Sequence, residues 1–159
     1  MNPQLLFGVQ FTLSLIIFAL IAKWYITPAL DKLPIQAALA PLFLVHTLRY
    51  LPSSAFAPGQ VDPKIPMEAM AGIAYGDLAS AILALIAVVF LHYRWPGALA
   101  VAWFVNVVAS LDWLSASYLA ASSQLVTYAM GGNWYIINYY VPVIAVVHIM
   151  IFARLLKGR

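Results

Sequence analysis

Long apolar stretches constrain this chain more than any other feature, because about 20 mostly apolar residues are enough to cross a bilayer as a helix. Such stretches cover residues 5–25, 34–51, 66–92, 96–117 and 134–156. The connections between them are rich in Pro, Gly, Ser, Asn and Asp, the residues of turns. We therefore predict an all-α integral membrane bundle of five transmembrane helices, forming one domain over residues 1–159.

Composition supports the membrane class. Of the 159 residues, 65% are hydrophobic and only 8% are charged, whereas a soluble domain carries about a quarter charged residues. The net charge of +3 comes from eight Lys and Arg residues spread along the whole chain. Without a basic patch, a nucleic-acid partner is not expected. The chain has no cysteine, which excludes disulfides, thiolate nucleophiles and thiolate metal sites.

The placement of basic residues predicts an orientation. Five crossings put the two termini on opposite sides of the bilayer. One side then holds Lys23, Lys32, Arg94, Arg154, Lys157 and Arg159, and the other holds Arg49 and Lys64. Because cytoplasmic loops carry the excess of Lys and Arg, we predict that the N-terminus lies outside and the C-terminus in the cytoplasm. Tyr and Trp at the predicted span ends are typical of aromatic belts.

Polar side chains inside the apolar stretches are the candidate ligand-binding residues, because burying such groups in a membrane is costly and usually functional. The candidates are His46, Arg49, Asp77, Asn106, Asp112, Asn138 and His148. At about 1.5 Å per residue, His46, Arg49, Asp77 and Asp112 lie in the outer half of the bundle. His148 is expected nearer the cytoplasm.

Two carboxylates among apolar side chains need a cation, hydrogen bonds or protonation. Arg49 is the basic side chain predicted nearest their depth, and it shares a helix face with His46. We predict an ion pair of Arg49 with Asp77 or with Asp112, the second carboxylate being bonded to His46 or to Tyr or Trp donors. A buried polar clamp that only joins helices is an equally weighted interpretation.

A stripe of small residues, Gly72, Gly76 and Ser80, runs along the third helix. Such stripes let helices approach closely. Packing within the monomer is the favoured interpretation, and a homodimer or a seam with a membrane-complex partner is the alternative. In the fifth helix, Pro142 frees a carbonyl near Asn138, so a kink there could open a cavity.

The chemistry of known cofactor sites was tested against the sequence. From the predicted depths, His46 and His148 differ by roughly 13 Å along the membrane normal, which argues against a haem held by both. No metal motif such as H-E-x-x-H, no Walker loop and no dinucleotide fingerprint occurs. We therefore expect neither a cofactor nor a metal.

The connection 118–133 leaves two interpretations open. It is uncharged but contains Leu125, Val126, Tyr128 and Met130, so it fits a short interfacial helix folded over the mouth of the bundle. Alternatively, the fourth helix simply continues further out.

Three segments resemble a widespread group of small bacterial polytopic membrane proteins. They read HTLRYLPSSAFAPG, AYGDLASAILALIAV and NYYVPVIAVVHIMIFARLL. The resemblance covers most of the chain. It implies a multi-pass protein of the bacterial inner membrane and brings no activity with it. The general architecture is similar to that of the EXPERA group of sterol-isomerase and ligand-binding proteins, although no sequence motif is shared. The similarity lies in five helices, acidic residues within the membrane and a last helix that contains Tyr and Pro.

These observations favour a membrane protein whose outer-half polar pocket binds or transports a small or lipid-like ligand. His46, Arg49, Asp77 and Asp112 would line that pocket, and Asn106 and His148 would form its floor or take part in a proton-transfer step. A membrane-embedded acid–base enzyme acting on a lipophilic substrate is the second hypothesis, because a carboxylate in an apolar pocket can transfer protons near neutral pH. A non-catalytic subunit of a membrane complex is the third.

Overall fold

The computed structural model describes residues 2–158, and within that range the chain is helical without β-strands. The helices are α1 Pro3–Leu30, α2 Ile35–His46, α3 Met67–His92, α4 Ala98–Ser122 and α5 Asn133–Lys157. A 3₁₀-helical segment, Thr47–Phe56, follows α2 directly. Arg159, which belongs to the predicted cytoplasmic charges, lies outside the described residues.

Four of these helices, α1, α3, α4 and α5, are long and apolar enough to cross a membrane. This agrees with a multi-pass membrane protein of the helical class. The second predicted span is organised differently from the others. Its α-helix has only 12 residues and gives way after His46 to the tighter 3₁₀ winding, which contains Pro52. Pro52 has no N–H to donate to a helical hydrogen bond, and the segment around it is wound as a 3₁₀ helix rather than as a regular α-helical span.

The core is a ring of four helices. Helix α3 packs against α2 and α4, and α5 contacts α2 and α4 on the opposite side. Alanine side chains at the contacts of α3 and α4, including Ala84, Ala87 and Ala102, are fully buried. Because alanine leaves little between two backbones, it lets the helices approach closely. Helix α1 lies outside this ring, packed on α5, and exposes apolar side chains such as Leu13 and Ile17 along its outer face.

Two prolines lie inside long helices without ending them. The sequence predicts that the first helix closes near Tyr25, before Pro28, but α1 continues to Leu30. A π-helical turn, Ala22–Ile26, precedes Pro28, and a second one, Ile136–Tyr140, precedes Pro142. A wide turn keeps the backbone bonded by i to i−5 hydrogen bonds where the proline removes the usual one. The helix therefore passes through both prolines.

The connection between α4 and α5 resolves one open question. Helix α4 extends to Ser122, and only a single 3₁₀ turn, Leu125–Thr127, follows before α5 begins. The interpretation in which the fourth helix continues outward is confirmed, and the interfacial helix over 118–133 is wrong. The remaining loop folds back over the bundle, where Leu125 and Met130 are buried. We call the half of the bundle containing this loop and the start of α1 the upper half.

Candidate functional site

Arg49 is the centre of a buried ion cluster. The 3₁₀ segment after α2 directs its guanidinium between α3 and α4. There Nε and Nη2 both lie 2.7 Å from Oδ1 of Asp77, and Nη2 also lies 2.7 Å from Oδ2 of Asp112. The third arm, Nη1, donates to the backbone carbonyl of Ala109 at 2.8 Å. One guanidinium thus ties the segment after α2 to both neighbouring helices.

The predicted ion pairing of Arg49 is confirmed, but its partners differ from the prediction. Arg49 binds both carboxylates rather than one, and the additional donor to Asp112 is Ser80 Oγ at 2.9 Å. The predicted bond from His46 or from a Tyr or Trp donor is wrong. The Arg49 side chain is 0% exposed, and those of Asp77 and Asp112 are 11% and 21% exposed. This burial makes the cluster costly to break, because each partner would be left as an uncompensated charge.

The small-residue stripe of α3 makes this cluster possible. A Cβ added at Gly76 would collide with Oδ1 of Asp112, and one at Gly72 would lie 3.3 Å from Cδ1 of Leu119. Ser80, the third residue of the stripe, is the donor to Asp112. The stripe is therefore occupied by α4 of the same chain, which agrees with packing inside the monomer.

His46 and His148 form an imidazole pair below the ion cluster. Their ring centroids lie 4.3 Å apart, and both residues are buried. The predicted depth difference is wrong because the winding after His46 continues to Phe56. Ten 3₁₀ residues rise about 20 Å, which matches the depth of His148 below the start of α5. Rings this close leave no room for a porphyrin between them.

Asn106 holds one member of this pair in place. Nδ1 of His148 lies 2.8 Å from Oδ1 of Asn106 and 3.1 Å from Oγ of Ser110. Because the Asn106 oxygen can only accept, Nδ1 carries the proton and Nε2 presents a lone pair. Within residues 2–158, that Nε2 and both ring nitrogens of His46 have no hydrogen-bond partner. Buried polar atoms without partners are rare.

A cavity of about 480 Å³ lies in the upper half, beside the ion cluster. Helices α1, α3, α4 and α5 and the loop between α4 and α5 line it. Its wall is mainly apolar and includes Phe7, Phe11, Met70, Ile73, Ala116, Ala120, Leu125, Ile137 and Ile144. Of the seven residues predicted for the site, only Asp77 lines this cavity; the other six lie around or below it. We call it the upper pocket.

The polar groups of the upper pocket are few. Asp77, Trp113, Asn133 and Tyr140 lie in its wall, together with Gln4, Ser117 and Gln124 near the loop. Asn133 is 2% exposed; its Oδ1 accepts from Ser54 Oγ at 3.2 Å, and its Nδ2 has no partner among the described residues. Nε1 of Trp113 is likewise buried and unpaired within that range. Both atoms lie behind the pocket surface, and a hydrogen bond to either would require the side chain to move.

Helix α1 forms one side of the upper pocket and α4 the opposite side. Helix α1 packs against α5 and the Leu125–Thr127 turn, so the pocket separates it from α4. Trp134 Nε1 donates to Gln10 Oε1 at 2.9 Å and fixes α1 to the start of α5. On the inner side, Tyr140 donates to the Val45 carbonyl at 2.7 Å and joins α5 to the end of α2.

A family model described as "Domain of unknown function (DUF8737)" matches residues 6–156. The chain belongs to the DUF8737 family. Its match spans all five helices and every residue of the ion cluster, so the site belongs to the part that defines the family. No curated protein and no solved structure matches the chain.

Asn138 is the last of the predicted residues, and it has a structural position in this member of the DUF8737 family. Asn138 is buried within the π-helical turn of α5, where its Nδ2 donates to the Trp134 carbonyl at 2.8 Å. No group of three His, Asp or Glu side chains converges as around a metal ion within residues 2–158. The contacts that the site does show are hydrogen bonds and ion pairs around Arg49.

Sequence reasoning missed Trp113, Asn133 and Tyr140. Trp113 follows Asp112 directly, and Asn133 and Tyr140 lie two turns apart at the start of the last helix of this family's fold. In the sequence these neutral side chains resemble aromatic-belt or turn residues. Only Trp113 stands beside an intramembrane acid, so the sequence carried a signal for that residue and none for Asn133 or Tyr140.

Proposed function

We propose that this protein binds a lipophilic molecule in the upper pocket and holds or moves it within the membrane. The observation that carries the proposal is the cavity itself: about 480 Å³ of mainly apolar space with the Asp77 carboxylate in its wall. Ligand sites are typically clefts of this size, lined by apolar side chains with a few polar groups that fix orientation. A ligand with an apolar body and one polar group matches this lining.

Access from the bilayer supports a lipid-like ligand. The upper pocket lies between α1 and α4, which do not pack along each other there, and both helices have the length and composition of membrane spans. Phe11 of α1 and Ala116 of α4 both line the pocket together with Asp77, so a molecule that entered between these two helices would reach Asp77 without crossing water. We infer that entry is lateral.

The proposal includes the orientation predicted from the sequence: five crossings in a bacterial cell membrane, with the N-terminus outside. Lys23, Lys32, Arg94 and Lys157 lie at the lower end, as loop or helix-end charges. At the upper end Arg49 is fully buried in the ion cluster, so Lys64 is the remaining basic residue there. When only basic residues in loops and at helix ends are counted, the excess of Lys and Arg at the lower end over the upper end becomes larger. Since cytoplasmic loops carry this excess, the count supports a cytoplasmic lower end.

A pocket-filling variant tests the proposal. Ala120 lies in the pocket wall, so Ala120→Trp places an indole in the cavity. Ala79→Trp makes the same change on the exposed face of α3 and serves as the matched control. Native mass spectrometry of gently extracted protein should show a bound lipophilic mass in wild type and Ala79→Trp and lose it in Ala120→Trp. Equal occupancy in all three proteins would refute binding in the upper pocket.

A second candidate function is acid–base catalysis on a lipophilic substrate. It is favoured by one observation: Asp77 is an acid that lines an apolar cavity while its position is fixed by Arg49. Such a group can remove and return a proton on a bound molecule. This function predicts chemical conversion of the co-purifying molecule by wild type and none by Asp77→Asn, whereas a binding protein returns the molecule unchanged.

A further inference from the structure

The ion cluster contains more acid than base. Arg49 contributes one positive charge, and Asp77 and Asp112 contribute two carboxylates bound to that same guanidinium. Within residues 2–158 the other Lys and Arg side chains lie elsewhere; Arg154, for example, pairs with Asp31 at 2.8 Å near the lower end. His46 and His148 make no hydrogen bond to either carboxylate. One carboxylate of the cluster is thus without a cation of its own.

Of the two acids, Asp77 is the one that reaches the upper pocket. Asp112 accepts from Arg49 and Ser80 through Oδ2 and lies outside the pocket wall. Both contacts of Arg49 with Asp77 go to Oδ1. The structure gives Oδ2 of Asp77 no hydrogen bond among residues 2–158, and this oxygen is not one of the fully buried atoms, so it can be reached from the upper pocket. A carboxylate oxygen without a partner in an apolar cavity strongly favours a donor that carries positive charge.

The walls near Asp77 suit a cation as well. Trp113 and Tyr140 line the same cavity, with Phe7 and Phe11 on the side of α1. The faces of aromatic rings attract ammonium groups, and this attraction is larger where water is excluded.

We propose that the upper pocket selects amphiphiles with a protonated amine head, which donates to Oδ2 of Asp77 while the apolar chain fills the cavity between α1 and α4. This inference rests on the proposed function and adds the chemical class of the ligand. The ligand's positive charge then balances the second carboxylate of the ion cluster. An anionic amphiphile would meet a net negative cluster and be excluded.

Three probes with the same chain and different heads test the inference: decylammonium, decanol and decanoate. Each is titrated calorimetrically into the full-length protein in phosphatidylcholine nanodiscs, and protein-free nanodiscs provide the partitioning baseline. We expect decylammonium to bind at least about tenfold more tightly than decanol, a difference typical of one charge-assisted hydrogen bond. Decanoate should bind more weakly than either.

Asp77→Asn should reduce the preference for decylammonium over decanol to less than about threefold while decanol still binds. This variant leaves Arg49 paired with Asp112, so the remaining charges are balanced. Glu68→Gln removes an exposed acid from the same helix and controls for general surface charge; it should keep the full preference.

The outcomes separate the two proposals. If decanol or decanoate binds wild type as tightly as decylammonium, or if Asp77→Asn keeps the preference, the cation inference is overturned while the lipophilic pocket stands. If no probe binds above the baseline, or if Ala120→Trp binds all of them like wild type, the proposed function itself fails.

Discussion

The imidazole of His46 lies against that of His148, with ring centroids 4.3 Å apart, and neither ring nitrogen of His46 has a partner among residues 2–158. The ring of Phe43 is a second aromatic neighbour, with its centroid 6.3 Å from that of His46. His46 thus fills an aromatic position in the core, whereas His148 is held by a hydrogen bond to Asn106. The two histidines therefore differ in how much they should contribute to stability.

His46→Phe should leave the protein as stable as wild type or make it more stable. The substitution removes two buried nitrogens that lack partners and keeps a ring of similar shape. His148→Phe is the matched control. It leaves the side-chain oxygen Oδ1 of Asn106 buried without the imidazole as its donor, which should lower the free energy of unfolding by about 1–3 kcal/mol. Thermal unfolding in detergent followed by tryptophan fluorescence compares the two. A large loss of stability in His46→Phe would mean that a hydrogen-bond partner exists for that ring.

Arg49→Met should be among the most destabilising single substitutions in the chain. It leaves two buried carboxylates without their cation, and such losses amount to about 3–5 kcal/mol. Combining it with Asp77→Asn and Asp112→Asn should recover most of the stability, because the triple variant contains no uncompensated charge. Arg94→Met in the lower loop is the control. The measurement is the thermal midpoint of each purified variant, and failure of the triple variant to recover would contradict the charge argument.

Gly76→Ala should destabilise the protein, although alanine generally favours a helix by about 0.5–1 kcal/mol over glycine. The added methyl group would collide with the carboxylate of Asp112 and displace it from Arg49. Gly8 in α1 has open space where a Cβ would lie, so Gly8→Ala is the matched control and should be neutral or stabilising. Equal midpoints for the two variants would show that α3 and α4 pack less closely than described.

Tyr140→Phe should cost about 1 kcal/mol of stability, the net value of one hydrogen bond. The hydroxyl donates to the Val45 carbonyl at 2.7 Å and joins α5 to the end of α2. The ring itself remains in the pocket wall, so decanol binding should stay within about twofold of wild type. Equilibrium unfolding and calorimetry on the same preparation separate these two effects, and unchanged stability would count against the bond.

The absence of cysteine makes the orientation directly measurable. Lys64→Cys lies in the upper loop and Arg94→Cys in the lower loop, each in an otherwise thiol-free chain. In intact bacterial cells, a membrane-impermeant maleimide should label Lys64→Cys only, and Arg94→Cys should react only after the membrane is opened. The reverse pattern would overturn an external N-terminus.

Much of the architecture follows from the sequence because the apolar stretches are long and their ends are marked by turn residues. The ion cluster is also predictable: two acids in apolar surroundings require a cation, and Arg49 is the basic side chain predicted nearest their depth. The sequence does not predict whether Arg49 pairs with Asp77 or with Asp112, because one guanidinium has enough N–H groups to bind both carboxylates. Linear spacing contains no information about that sharing.

The depth of His46 could not be predicted for a related reason. Local residue preferences place a stop at Pro52, but the chain continues in 3₁₀ winding to Phe56, and each such residue rises further than an α-helical one. Of the residues predicted to line a pocket, Asp77 does line the upper pocket, but the rest of its lining could not be predicted. A cavity is defined by where helices fail to touch, and this depends on the packing of α1, whose apolar faces give no periodic signal.

The π-helical turn Ile136–Tyr140 has a further effect on α5. Such a turn contains one residue more than a regular α-helical turn, and one residue corresponds to a rotation of about 100° around the axis. The wider turn absorbs this surplus residue, because each of its residues rotates less around the axis than an α-helical residue. The segment that begins at Asn133 and the segment that carries His148 therefore keep the phase of one continuous helix, and deleting one position from the turn would restore a regular α-helical turn with His148 still facing His46.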